Sequence, residues 1–117
     1  MIDARERALQ ALYEFDLRDG EIGPLSGRAD RLASGVVQHM ADLDQTLDEV
    51  SRRWRVARMA PVDRAVLRLA LYELRFEPDT PTAVVVAEAV RLAKKYSTDR
   101  SGAFVNGILG RISQSER

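Results

Sequence analysis

The stretch "APVDRAVLRLALYELRFEP", residues 60–78, restricts the fold more than any other part of the chain. Pro61 suits the first turn of a helix, where a missing N–H costs little, and Pro78 requires the helix to stop before it. Between them, apolar side chains surround almost the whole helix, while Arg64, Arg68 and Arg75 fall on one stripe within about 40° at 100° per residue. A helix that is apolar nearly all round is stable in water only when other elements enclose it. The spacing therefore predicts a central helix. Glu73 points away from the arginines, as a buried hydrogen-bonded carboxylate or one at a packing gap. With no histidine or second carboxylate as a partner nearby, a structural role outweighs catalysis.

The remaining segments supply helices to enclose it. Asp3 can cap a first helix and Glu6 completes a capping box. Ala4, Ala8, Ala11, Leu12 and Phe15 then line one face over roughly residues 3–18, before the loop "RDGEIGPLSG". From about Arg28, residues Leu32, Val36, Met40, Leu43, Leu47, Val50 and Trp54 are spaced 4, 4, 3, 4, 3 and 4. This predicts one long helix with a narrow apolar stripe and an acidic flank, "DLDQTLDE". His39 sits beside the stripe as an exposed or hydrogen-bonded residue. "RRWRVAR" gathers Arg52, Arg53, Arg55 and Arg58 around Trp54, a grouping that suits a helix C-terminus. "TPTAVVVAEAVRLAKKYS" offers Thr80 as a cap and Pro81 as the first helical residue of a second buried helix, with Glu88, Arg91 and Lys95 on one stripe and Lys94 beside it.

The last segment, "SGAFVNGILG", contains Asn-Gly, the strongest short hairpin signal, yet too little period-two sequence flanks it for two strands. Phe104, Val105, Ile108, Leu109 and Ile112 share one helical face, and Ala103, Gly107 and Gly110 share the other. The expectation is a helix with one bulky and one bare side. Gly107 costs about 1 kcal/mol relative to alanine inside a helix, so the bare side is expected to admit something closely: another helix, or a ligand or partner.

Composition narrows the function classes. The 117 residues include no cysteine and one histidine, which leaves neither a thiolate site nor a histidine metal cluster. No metal and no cofactor is expected. The start, "MIDARERALQ", lacks the apolar stretch of a secretory signal, and no run of about 20 apolar residues follows, so a cytoplasmic protein without membrane attachment is expected. The net charge of zero conceals an asymmetry: residues 1–50 hold 11 acids and 5 bases, residues 51–117 hold 7 acids and 13 bases. Such halves can hold each other together, or the basic one can attract phosphates through counterion release.

Four blocks, "ALQALYEFDL", "VDRAVLRLALYEL", "AVVVAEAVRLAKKYS" and "FVNGILGRI", resemble the NusB family of transcription antitermination proteins in order and spacing. The resemblance covers nearly the whole chain. It implies an all-α domain of two small antiparallel helix bundles with about six to seven helices, spanning 1–117 with halves of about 1–58 and 59–117. It also implies a non-enzymatic function: binding the single-stranded boxA element of ribosomal RNA transcripts with NusE, a small-subunit ribosomal protein, so that RNA polymerase passes terminators.

RNA of that kind is held by stacking on aromatic or guanidinium planes and by basic side chains on the backbone. Candidate contacts are Arg5, Arg7, Gln10 and Tyr13 on the first helix, with Lys94, Lys95, Arg100 and Phe104 near the last. Arg5, Gln10, Tyr13 and Phe104 fall at positions the family uses in this way. Phe104 otherwise belongs to the core, and Arg5 and Arg7 otherwise form a solvated face. Asp63 stands where the family places an acid facing NusE, and a carboxylate there also favours the helix N-terminus. The chain departs from the family pattern in carrying only "MIDARER" before the first helix instead of a longer arginine-rich arm. It also has Ala87 where the family's "NEA" has asparagine. Two other readings compete: a detached targeting module of a ribosomal RNA cytosine methyltransferase, and a homodimer packed through the bare glycine face.

Overall fold

The computed structural model describes residues 2–18 and 20–117, so Met1 and one position of the predicted loop, Asp19, lie outside it. The described residues form six α-helices and no strand: α1 (Ala4–Leu17), α2 (Gly27–Gln38), α3 (Met40–Val50), α4 (Pro61–Phe76), α5 (Thr82–Tyr96) and α6 (Asp99–Glu116). A single 3₁₀ turn, Val56–Arg58, precedes α4.

The central helix is α4. All five other helices pack on it, and ten consecutive residues, Ala65–Leu74, are buried. Its arginine stripe meets the acidic N-terminal half at several points. Arg64 pairs with Asp16 at 2.8 Å, and Arg68 holds Asp44 through two bonds of 2.8 and 2.9 Å while also reaching Asp16. Arg75 makes the corresponding fork to Glu116 of α6, at 2.7 and 3.0 Å. These forks satisfy the guanidiniums while their stems lie against the packed helices, which is how a charged stripe is accommodated on a central helix. At the other end of α4, the Arg117 guanidinium donates to the carbonyls of Glu73, Leu74 and Glu77, of which Leu74 is one that the helix C-terminus leaves without a backbone donor.

Three local expectations change. The long helix predicted from Arg28 to Trp54 is two helices meeting at His39, whose φ of −106° and ψ of 14° interrupt the α geometry. Tertiary packing explains the break. Gly35 leaves room for the Tyr72 ring, which lies where a Cβ at that position would stand, and His39 stacks on Phe76 with ring centroids 4.3 Å apart. The stripe stays buried through Leu32, Val36, Leu43 and Leu47, but α3 stops at Val50, leaving Trp54 51% exposed on a bend.

The capping box forms only in its first half. Asp3 accepts the Glu6 N–H at 2.8 Å, while the Glu6 carboxylate turns to α5. The predicted start of α5 shifts by one residue: Pro81 occupies the N-cap position, and no side-chain hydrogen bond caps the helix.

Asn-Gly at 106–107 lies inside α6, as the apolar spacing predicts. The bare side of that helix admits no neighbouring helix. A Cβ added at Gly107 or Gly110 would meet nothing within 4 Å, and Ala103, Gly107 and Gly110 are exposed. The tight approach falls instead at Gly102, over which the Lys94 side chain lies. A Cβ there would stand 2.7 Å from Lys94 Cγ. Close packing of α5 on α6 at this corner, with Thr98 capping the Ser101 N–H at 3.1 Å, fixes where α6 begins.

Candidate nucleic-acid interface

The sequence offers eight side chains for RNA and one for a protein partner, and α1, α4, α5 and α6 position them. Arg5 is the exception to surface presentation. It is 7% exposed, and its guanidinium forms a fork to Glu73, itself 1% exposed, at 2.8 and 2.6 Å. Arg28 adds a second donor to Glu73 at 3.2 Å, and Glu88 lies 3.6 Å from Arg5. The Glu73 hydrogen bond, opposed by burial, raises the Arg5 pKa, so the guanidinium stays charged inside the fold. Arg5 thus ties α1 to α4 rather than presenting its charge to a phosphate. Arg7, two residues on and on the opposite side of the helix, is exposed and lines a separate depression with Pro24, Leu25 and Arg28.

Lys95 and Gln10 both bond to the Glu6–Tyr96 pair at the α1–α5 seam. Glu6 is buried and accepts Lys95 Nζ at 2.5 Å together with the Tyr96 hydroxyl, to which Gln10 also donates at 3.1 Å. The Lys95 hydrogen bond, then that of Tyr96, pulls the Glu6 carboxyl below the usual range, and the same bond raises Lys95. Lys95 keeps an exposed side chain, so its charge is shared between this seam and the surface. Gln10 continues into a cleft with Tyr13, Leu9, Glu14, Val62 and Tyr96, where Tyr13 is 38% exposed.

Val62 belongs to that cleft, and Asp63, the next residue, lines another with Trp54, Arg58, Arg100 and Phe104. The first turn of α4 therefore separates two adjoining clefts. One Asp63 carboxylate oxygen is buried without a hydrogen-bond partner among the described residues, and Asp63 lines the cleft together with Arg100 and Phe104. Phe104 is half-buried against the core and also lines this cleft. Lys94 is exposed and braced over Gly102 at the adjoining corner of α5 and α6.

The structure thus brings Gln10 and Tyr13 to one side of the α4 start, and Asp63, Arg100 and Phe104 to the other. It sets Arg7 apart and places Arg5 inside. Three contributors escaped selection from sequence: Tyr96, Arg58 and Trp54. The helical spacing assigned Trp54 to a buried stripe, although the four arginines in "RRWRVAR" marked its surroundings as solvated.

Comparison with known proteins agrees with this architecture. The NusB family pattern matches residues 2–114. The chain is 44% identical to the transcription antitermination protein NusB of Anaeromyxobacter dehalogenans, across 94% of this chain and 87% of that one. It is 37% identical to the NusB of Lysinibacillus sphaericus across 97% of both. A shorter match to the NusB of Agathobacter rectalis reaches 54% identity over 84 residues, 72% of this chain and 64% of that protein.

Among solved structures, T. maritima NusB superposes with a TM-score of 0.86 at 35% identity, covering 95% of this chain and 88% of that one. A NusB solved with NusE and double-stranded RNA gives 0.84 at 28% identity, covering 96% and 94%. Since sequence blocks, helix order and three-dimensional frame coincide over nearly the full length, this chain belongs to the NusB family.

Proposed function

We propose that this protein is a non-catalytic adaptor of transcription antitermination, which binds the boxA element of ribosomal RNA transcripts jointly with NusE and helps RNA polymerase read through terminators. The observation that carries this reading is the meeting of Asp63, Arg100 and Phe104 in one cleft, directly beside the cleft of Gln10 and Tyr13. Residues far apart in sequence converge on one face that offers aromatic surface, guanidinium donors and a carboxylate.

The chemistry divides the work. Phe104 and Arg100 supply a stacking plane and a phosphate or base-edge donor, and Lys94 and Lys95 add charge along the backbone path. Gln10 and Tyr13 contribute polar groups on rigid helical backbone. Asp63 receives a donor from NusE while its charge favours the α4 N-terminus. The relatives named for antitermination and the NusB solved with NusE and RNA support the assignment. Arg5 acts indirectly, by fixing α1 against α4.

The test is binding of fluorescently labelled boxA RNA with and without NusE. Preference for boxA over a scrambled sequence, strengthened by NusE, is the expected result. Equal binding of both RNAs in both mixtures overturns the proposal.

A further inference from the structure

Charge pairing divides the basic residues into two groups. Arg5, Arg64, Arg68, Arg75 and Lys95 are among those with carboxylate partners, as is Arg55 beside Asp48, whereas Arg52, Arg53, Arg58, Arg100 and Arg111 are among those that form no ion pair among the described residues. These five gather in two adjoining places. Arg58 and Arg100 line the Asp63 cleft, and Arg52, Arg53 and Arg111 line a second groove that runs along the bare side of α6. Trp54 and Phe104 belong to both.

The bend that displays Trp54 is built rather than loose. Buried Ser51 donates its hydroxyl to the Trp54 carbonyl at 2.7 Å, and Asp48 accepts the Val56 N–H at 2.8 Å. An exposed indole is thereby held between unpaired guanidiniums, next to a helix face kept open by Gly107.

We infer that this groove is a second RNA subsite, into which single-stranded nucleotides flanking boxA pass from Phe104, with one base stacked on Trp54 and phosphates held by Arg52, Arg53 and Arg111. The inference rests on the RNA-binding reading above and extends it to a defined path. An indole face among guanidiniums fits alternating base and phosphate, since every base offers a π-face and every linkage a charge. An acidic peptide would satisfy the charges but leave the indole without a stacking partner. The two clefts, about 280 and 260 Å³, are smaller than the roughly 300–1,000 Å³ of enclosed small-molecule pockets, and their union through Trp54 and Phe104 is a track rather than a chamber.

Trp54 is the only tryptophan, so tryptophan emission reports on the two clefts that this side chain lines. The protein, with NusE present, is titrated with labelled boxA RNA, either minimal or extended by several nucleotides at one end or the other. Anisotropy of the label reports binding, and tryptophan emission is read against NusE alone. One of the extended RNAs is expected to quench Trp54 and to bind more tightly, while minimal boxA binds with little quenching.

Trp54→Ala should weaken the extended RNA by about 5- to 100-fold more than it weakens minimal boxA, with Trp54→Phe recovering part of the loss. Arg52→Ala with Arg53→Ala should lower the salt slope for the extended RNA by roughly 1.4. Specific boxA binding without quenching or length dependence overturns the subsite alone, and absence of any specific RNA binding overturns the parent reading with it. Quenching by a polyglutamate peptide but by none of the RNAs assigns the groove to an acidic protein segment and also overturns it.

Discussion

At the scale of single residues, Arg5 and Phe104 show why a position can match a functional pattern and still need a structure to interpret it. Arg5 lies in a basic-looking N-terminal segment, but its fork to Glu73 joins two groups that are each more than nine-tenths buried. Removing one member leaves the other charge without its main partner, which for buried pairs costs about 3–5 kcal/mol. Arg5→Ala should therefore lower the urea midpoint strongly and weaken RNA binding only in proportion to unfolded protein. A stable Arg5→Ala variant with lost RNA affinity would return Arg5 to the interface.

Phe104 should behave in the opposite way. Phe104→Leu keeps an apolar anchor on the core and is expected to cost about 1 kcal/mol, while loss of the ring reduces boxA affinity about 5- to 100-fold. Thermal melts and anisotropy on the same sample separate the two effects. No sequence pattern distinguishes these cases, because the partner of Arg5 is 68 residues away and the cleft that Phe104 lines is walled by Trp54, Arg58 and Asp63, from another part of the chain.

At the scale of elements, the helices were legible wherever one face alone decides burial. The apolar girdle of α4, the start of α1 at Asp3 and the helical nature of α6 despite Asn-Gly follow from periodicity and capping. The break at His39 was not legible, since the apolar spacing runs through it without interruption. It depends on Tyr72, a residue of another helix, filling the space beside Gly35. Gly35→Ala places a methyl group 2.3 Å from the Tyr72 ring carbon, so either the ring or the helix must shift. The expected cost is about 1–3 kcal/mol, typical of overpacking, and Gly35→Ala combined with Tyr72→Leu should recover part of it. An unchanged midpoint for Gly35→Ala would show that the α2–α3 joint is not held by this contact. The candidate site was legible in the same partial way: its α5 and α6 contributors follow from their helices, whereas Trp54 became visible only once α3 ended early.

At the scale of the whole molecule, the acidic and basic halves prove complementary in a selective sense. Carboxylates of the N-terminal half occupy Arg64, Arg68, Arg91 and Lys95, and leave Arg52, Arg53, Arg58, Arg100 and Arg111 without carboxylates among the described residues. The internal pairs serve assembly of the helices, so they should govern acid stability. Glu6, held by Lys95 and then Tyr96, and Glu116, held by Arg75, both have lowered pKa values in the folded chain. A carboxylate whose folded pKa lies below its unfolded value of about 4.3 contributes stability that is fully present above that value. It loses that contribution as pH falls through the lower folded pKa, because protonation then costs the native state more than the unfolded one. Urea midpoints measured from pH 7 to pH 3 should therefore fall on acidification. For Glu6→Gln combined with Glu116→Gln, the midpoint should start lower at pH 7 and fall less, approaching the parent curve at the acid end. Parallel curves would show that these two seams, α1 to α5 and α4 to α6, do not set the acid response.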